Sequence, residues 1–424
     1  MRRTKIVVIG AGSASFGPSC LRDAIHCKEL SGSTLVLVDL DAEKLEVIAR
    51  LAHRLNEASG AGLVIEHTTD RKKAFSGAEF VITSIAVNRE PLWKLDWEIP
   101  LKHGIKQIQG ENGGPGGLSH ALRNIPMLLD ICRDMEPLCP NALLINFSNP
   151  ESRMCLAVSK HTSIKSVGLC HGIYGAMDTV RRVTGVSDIN VTAAGLNHFT
   201  WMLSLTRAST GEDLYPLLRE KFAECAPDFM PLTRHLLDVF GLYASPGDDH
   251  IGEYIGYAWE IMGLKGYNFA GAQEYRDTLK AQIERLLTDD DYVREYAKGR
   301  SGEIAFNIIG GILADTNEIL AAVNIPNNGA ISNLPDDAVV EVPAVVGARG
   351  LTGLCVGDLP DGIAALCNTQ IGVQKLVVEA AVTGSRRIAL QAMLADPVVQ
   401  SAEAGEKCLD ELLAVHAPYL PQFG

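Results

Sequence analysis

Ile6-Val-Val-Ile9 runs directly into Gly10-Ala-Gly-Ser-Ala-Ser15, and Thr34-Leu-Val-Leu-Val38 ends on Asp39. A short apolar run, a glycine turn, a helix, a second apolar run and an acid, in that order, predict the first unit of a dinucleotide-binding sheet. Gly10 takes the tight turn, and Gly12 lets the backbone approach a pyrophosphate at a helix N-terminus, where free N–H groups favour anions. Ser15 stands where a third glycine is usual, so the glycine motif alone says little. Asp39 adds the weight, because a carboxylate there accepts hydrogen bonds from a ribose diol and disfavours a 2′-phosphate. The plain alternative is a βα turn without a nucleotide. The order of elements favours NAD⁺, with Gly10, Gly12, Ser13, Asp39 and Asn88 as its expected contacts.

Outward from this stretch the alternation continues. Ala42–Ala58 has apolar residues at 45, 48, 51 and 55, one face of a helix, while Phe80–Ser84, Ala142–Asn146 and Ser166–Cys170 read as further strands. Near-continuous apolar strands separated by helices predict an α/β fold, a doubly wound parallel sheet covered on both faces. The Gly/Pro-rich segment 110–117 reads as a loop. Beyond about residue 190 helical patterns dominate, at Tyr215–Cys225, Ala272–Leu287, Asp291–Ser301 and Lys375–Ala395, with a strand at Ala338–Pro343. The division expected is a Rossmann-type domain over 1–190 and a second, α+β domain over 191–424.

The chain has 424 residues, 38 basic and 51 acidic, for a formal net charge of −13. An acidic balance with no Lys/Arg-rich run argues against nucleic acid or an anionic membrane as the main partner. The opening apolar run is too short for a signal-peptide core, and no apolar stretch of about 18 residues occurs. Ten cysteines with no CxxC pair read as reduced thiols, so a cytoplasmic enzyme is expected.

In a doubly wound sheet ligands bind beyond the C-terminal ends of the strands. Polar clusters fall there: Asn88-Arg89, Asn146-Phe-Ser-Asn149-Pro150 and Cys170-His171-Gly172, followed by Asn197-His198 and Gly247-Asp248-Asp249-His250. Cys170 and His198 offer a thiolate and an imidazole, donors suited to a transition metal. Their spacing fits no regular zinc pattern, and on spacing alone a buried cysteine and a satisfied histidine explain them. Glu111 could equally be a loop carboxylate, Asn149 an Asx turn, and Asp248 a helix N-cap.

Taken together, Gly10–Phe16, Gly110-Glu-Asn-Gly-Gly-Pro-Gly-Gly117, Asn146–Pro150, Cys170-His-Gly172, Gly195-Leu-Asn-His198, Gly247-Asp-Asp-His250 and Pro326-Asn-Asn-Gly-Ala-Ile331 with Leu334-Pro335 resemble glycoside hydrolase family 4, the NAD- and manganese-dependent glycosidases. The resemblance spans nearly the whole chain. It implies a C-terminal domain like that of lactate and malate dehydrogenases, assembly as homodimers or homotetramers, and a small-molecule glycoside as substrate. It also implies a reaction: hydride leaves C3 of the sugar for NAD⁺, a base removes the C2 proton, the C1–O bond breaks by elimination, water adds, and the hydride returns. A divalent metal, Mn²⁺ or another, serves as Lewis acid. This departs from the two-carboxylate scheme of ordinary glycosidases.

Position by position, the resemblance makes Cys170 and His198 metal ligands and puts Asn149, Glu111, Arg89 and His250 at the substrate. His171 takes the place of a general acid, and histidine suits that role if it stays cationic near neutral pH. Asp248 matches a candidate C2 base, with Tyr254 and Tyr243 as rivals. Two departures stand out. Gln109-Gly-Glu-Asn112 replaces Gly-Gln-Glu-Thr, and Gly247-Asp-Asp-His250 replaces Gly-Asp-Arg-His, which removes a cation. Cys-His-Gly differs from the signatures of the phospho-glycosidase branches. Arg89 could bind an anionic sugar bidentately, so an α-galacturonide is the expected substrate, with a sulfoquinovoside as rival. A simple hydroxy-acid or sugar dehydrogenase on the same fold, or an NAD-sensing protein without catalysis, completes the alternatives.

Overall fold

Alternate residues of Lys5–Ile9 (β1) serve two different cores: Ile6 and Val8 pack on one face of the sheet, Val7 and Ile9 on the other. Both faces of the strand are therefore dry, as its unbroken apolar sequence requires. Four such side chains bring roughly 6–12 kcal/mol of burial at about 1.5–3 kcal/mol each. The computed structural model describes residues 2–424. The remaining strands are Thr34–Val38 (β2), Val64–Thr68 (β3), Phe80–Thr83 (β4), Leu143–Asn146 (β5), Ser166–Gly168 (β6), Ile189–Leu196 (β7), Phe199–Arg207 (β8), Tyr243–Ser245 (β9), Glu318–Pro326 (β10), Val339–Gly347 (β11) and Gly350–Gly353 (β12).

They form one sheet in the order β3-β2-β1-β4-β5-β6-β10-β11-β7-β8-β9, with β12 on β11. The first six strands are parallel, in the 3-2-1-4-5-6 order of dinucleotide-binding sheets. From β6 onward the pairings are antiparallel. The expected α/β class and parallel strands are observed, and β3 is added. Its residues Val-Ile-Glu-His-Thr are mostly exposed at the sheet edge, so they carry no apolar signature.

The crossover helices begin with Phe16–Ala24 (α1), Ala42–Ser59 (α2), Arg71–Phe75 (α3) and Arg89–Lys102 (α4). In α2 the Asp41 carboxylate accepts from Lys44 N–H as N-cap, Leu45, Ile48, Leu51 and Leu55 are buried, and Gly60 closes the helix with φ +67°. Two expectations are corrected. Segment 110–117 is a loop only as far as Gly113; Gly114–Leu138 (α5) is a 25-residue helix with Pro115 in its first turn. The expected helix Lys375–Ala395 is two helices, Asp361–Thr383 and Arg386–Ala395, parted by Gly384 in the left-handed region and restarted by the Ser385 cap.

Helix α5, Glu151–His161 (α6) and the late helices share one core, which joins Val7, Leu128 and Val158 with Val377, Leu409 and Leu420. His416 on the last segment places Nε2 2.8 Å from the buried Asp96 on α4, which also pairs with Arg123 of α5. Among the described residues, no helix is long and apolar enough to cross a membrane.

Candidate active site

The glycine turn after β1 is held from behind. Gly10 and Ala11 N–H both donate to Val38 O, at 3.0 and 3.1 Å, and Gly10 has φ +85°. A Cβ at Gly10 would overlap the Ser84 carbonyl oxygen at the end of β4. Gly12 N–H donates to Asp39 Oδ2 at 2.8 Å, Asp41 N–H donates to Oδ1 at 3.0 Å, and Ser13 Oγ accepts from Phe16 N–H at the entry to α1. The acid thus sits against the glycine turn, which suits a nucleotide whose ribose and pyrophosphate meet there. Asn88, in the left-handed region (φ 39°), ends the strand-to-helix turn before α4.

A second set of residues gathers at the ends of β4, β5 and β6. Cys170 follows β6, and His198 sits in the tight turn between β7 and β8 at φ 59°. Left-handed backbone in a bulky residue costs energy and is kept where surrounding structure imposes it. Glu341 on β11 does so: its buried carboxylate accepts from Asn197 Nδ2, Thr200 Oγ1 and Asn324 Nδ2 at 3.3, 2.6 and 3.0 Å, which fixes the turn.

The outcome is that His198 Nε2 lies 3.1 Å from Cys170 Sγ. Bond lengths of about 2.3 Å to sulfur and 2.0–2.1 Å to nitrogen, at a right angle, place two donors on one ion roughly 3.1 Å apart. Burial pushes the His198 imidazole well below its ordinary value, with the His250 charge adding to the effect, so it is neutral and able to donate a lone pair. Burial, then Glu341 and Glu151, pushes the Cys170 thiol upward; a bound cation reverses that preference. This donor pair fits a divalent transition metal.

The His250 ring lies tilted against His198, centroids 4.1 Å apart and planes at 44°, and its Nδ1 is 3.3 Å from Glu253 Oε1. Donor atoms of His198, His250 and Glu253 lie within 4.8 Å of one another. Although burial works against its charge, Glu253, Asp249 and Glu111 outweigh it and lift His250 to about 9. Glu111 accepts from Arg89 Nη2 at 2.6 Å and Asn149 Nδ2 at 3.2 Å through the same oxygen. Burial raises this carboxyl, but Arg89, with His250 and His120 behind it, holds it at about 2.

Other expected residues lie differently. Asp248 Oδ2 accepts from Leu232 N–H at 2.9 Å, and Oδ1 from Thr233 N–H and Oγ1, both at 2.7 Å. Both oxygens are engaged in capping the helix Pro231–Phe240. The short helix that starts at Asp248 itself, Asp248–Ile251, has Gly247 in the N-cap place, so the carboxylate serves the upstream helix instead. Tyr243 is packed in a core beside Phe222, with its hydroxyl unbonded. Tyr254 is the tyrosine at the site, its hydroxyl donating to Asn197 O at 3.3 Å, next to His198, and burial pushes the phenol well upward. The His171 ring turns to Glu303, Nε2 to Oε2 3.3 Å. Burial lowers His171, which runs against a cationic acid, while burial and Asp23 lift Glu303 to about 7. Glu253, Glu303 and Glu341 escaped the sequence analysis. Glu253 and Glu341 each carry one signal in the sequence, a lone acid in an otherwise apolar segment.

The chain is similar to known proteins along nearly its whole length. The model described as family 4 glycosyl hydrolase matches residues 5–186, and that of the family's C-terminal domain matches 193–399. The chain is similar to an alpha-glucosidase of Erwinia rhapontici, 35% identical over 98% of this chain and 99% of the relative. It is also similar to an alpha-galacturonidase of Bacillus subtilis, 31% identical over 93% of each chain. The crystal structure of a 6-phospho-alpha-glucosidase from gut microorganisms in complex with NAD and Mn²⁺ superposes with a TM-score of 0.85 at 22% identity, over 100% of both chains.

Proposed function

The chain belongs to family 4 of the glycosyl hydrolases, and from that premise we propose that it hydrolyses an α-glycoside with NAD⁺ and a divalent metal. The observation that carries the reading is the 3.1 Å approach of Cys170 to His198 beyond the C-terminal end of β6, in a sheet whose glycine turn is backed by Asp39. A relative at 22% identity is described with both NAD and Mn²⁺.

Gly10, Gly12, Ser13, Asp39 and Asn88 line the cofactor's place, and Cys170 and His198 hold the metal. NAD⁺ held there would supply a reversible hydride acceptor, and a divalent metal held there a Lewis acid. Asn149 and Glu111, joined at 3.2 Å, receive sugar hydroxyls. Tyr254, beside His198 through Asn197, takes the C2 proton as its phenolate, a form that burial opposes and that a cation held by His198 would favour. Glu303, lifted to about 7 and 3.3 Å from His171, keeps a proton near neutral pH that passes through the His171 ring to the leaving oxygen.

In the sequence Arg89 argues for an anionic sugar. Its charge is already compensated by Glu111 at 2.6 Å, and a second carboxylate, Glu253, holds the Glu111 N–H at 2.6 Å. A neutral α-glucoside or α-galactoside is therefore our first substrate class. A uronide is the second reading, favoured by the 42% exposure of the Arg89 side chain, which leaves further N–H groups at the mouth. The test is a panel of aryl α-glucoside, α-galactoside, α-galacturonide and α-sulfoquinovoside, assayed with and without NAD⁺ and Mn²⁺ under reducing conditions. Aryl release that needs catalytic NAD⁺ and leaves no NADH supports the proposal. NADH accumulating in step with product would make the protein a dehydrogenase.

A further inference from the structure

Glu253 lies next to Tyr254, is 1% exposed, and does two things at once. Its Oε2 accepts the N–H groups of Glu111, Asn112 and Gly113, at 2.6, 2.6 and 3.1 Å. Its Oε1 faces His250 Nδ1 at 3.3 Å. Three consecutive loop N–H groups converging on one ionised oxygen are charge-assisted bonds, roughly twice as strong as neutral ones. Approach is close enough that a Cβ at Gly113 would overlap the Glu253 backbone. Sequence position 113 therefore has to be glycine for this contact to form.

We propose that Glu253 is a positioning residue that joins the glycine-rich loop to the histidine side of the site, and that it is not a metal ligand. An oxygen with two lone pairs that already accepts three donors has none left for a cation. The other oxygen is turned to His250. The proximity of Glu253 to the donor atoms of His198 and His250 is thus a consequence of its clamping role. The loop it holds carries Glu111, which in turn holds Arg89 and Asn149. One carboxylate consequently sets the distance between the hydroxyl-binding side and the Cys170–His198 side. This inference rests on the functional reading above only for the identity of the two sides.

Glu253→Gln is the isosteric test and Glu253→Ala the severe one. Amide hydrogen exchange over residues 107–120 reads the clamp without any activity and should be about tenfold faster in Glu253→Gln. Mn²⁺ titration followed by electron paramagnetic resonance should give an affinity within about threefold of wild type. With an aryl α-glucoside, kcat should fall about 10- to 100-fold, and the affinity for NAD⁺ should stay within about twofold. A hundredfold loss of Mn²⁺ affinity in Glu253→Gln makes it a ligand and overturns the proposal. So does unchanged exchange in both variants. A wild-type protein that binds no Mn²⁺ sinks the functional reading instead, and the exchange result then decides the clamp alone.

Discussion

Asp248→Asn separates two roles that one carboxylate cannot hold together. In the structure its oxygens receive two backbone N–H groups and the Thr233 hydroxyl at the start of the helix Pro231–Phe240. Asparagine caps about as well as aspartate, so this variant keeps the Oδ1 bonds and loses the acceptor for Leu232 and the charge at the helix N-terminus, costing about 1 kcal/mol. Asp248→Ala loses all three bonds, at about 2 kcal/mol, a fall of a few degrees in Tm. Turnover of Asp248→Asn should stay within tenfold of wild type. A general base, by contrast, is worth about 10²- to 10⁴-fold, and Tyr254→Phe should lose that much. The assay is aryl release together with incorporation of solvent deuterium at C2 of the sugar in heavy water, which reports the proton transfer itself. If Asp248→Asn loses a hundredfold or more, stops deuterium incorporation and keeps its Tm, the capping argument is wrong and Asp248 is the base.

Three further outcomes follow from the same geometry. Cys170→Ser should abolish Mn²⁺ binding and turnover while NAD⁺ binds within about twofold of wild type, checked by calorimetry with each ligand separately. Asp39→Ala should do the opposite, raising the NAD⁺ Kd at least about tenfold, because the carboxylate that organises the Gly12 turn and meets the ribose is gone. The Glu111 carboxyl, held at about 2 against an ordinary 4.5, contributes roughly 3 kcal/mol of stability that is complete above pH 4.5 and lost as pH falls toward 2. Arg89→Gln should therefore lower stability most at pH 7, with the gap to wild type closing below pH 4.5. A denaturation gap that ignores pH would refute the pairing.

The parallel half of the fold was legible because its strands are buried on both faces and so read as unbroken apolar runs; Val64–Thr68, exposed at the edge, gave no such signal. Helix α5 was hidden by its own packing. Gly114, Gly116 and Gly117 are needed for close approach, and a Cβ at Gly116 would crowd the Gly110 backbone, yet glycines lower every helical expectation. Site residues divide in the same way. Asp39 is local to its turn and could be found by counting. Cys170 and His198 meet only through the β7–β8 turn and the Glu341 anchor, contacts that no spacing encodes. An N-cap rule looks forward along the chain from Asp248, whereas the helix its carboxylate meets begins before it, at Pro231.

The core shared by the first and last parts of the chain bears on how the protein is made. Val7, Ile125 and Met154 close against Val377, Leu409 and Leu420, and Asp96 against His416. A ribosome adding about 5–20 residues per second needs on the order of tens of seconds to pass from α6 to those partners. During that interval both faces of the nucleotide-binding half wait for later partners, one for residues 283–346 and the other for residues 373–420. The growing chain therefore carries a long apolar helical surface that only its own final segment can cover, and the cell must keep it from other chains until translation is nearly over.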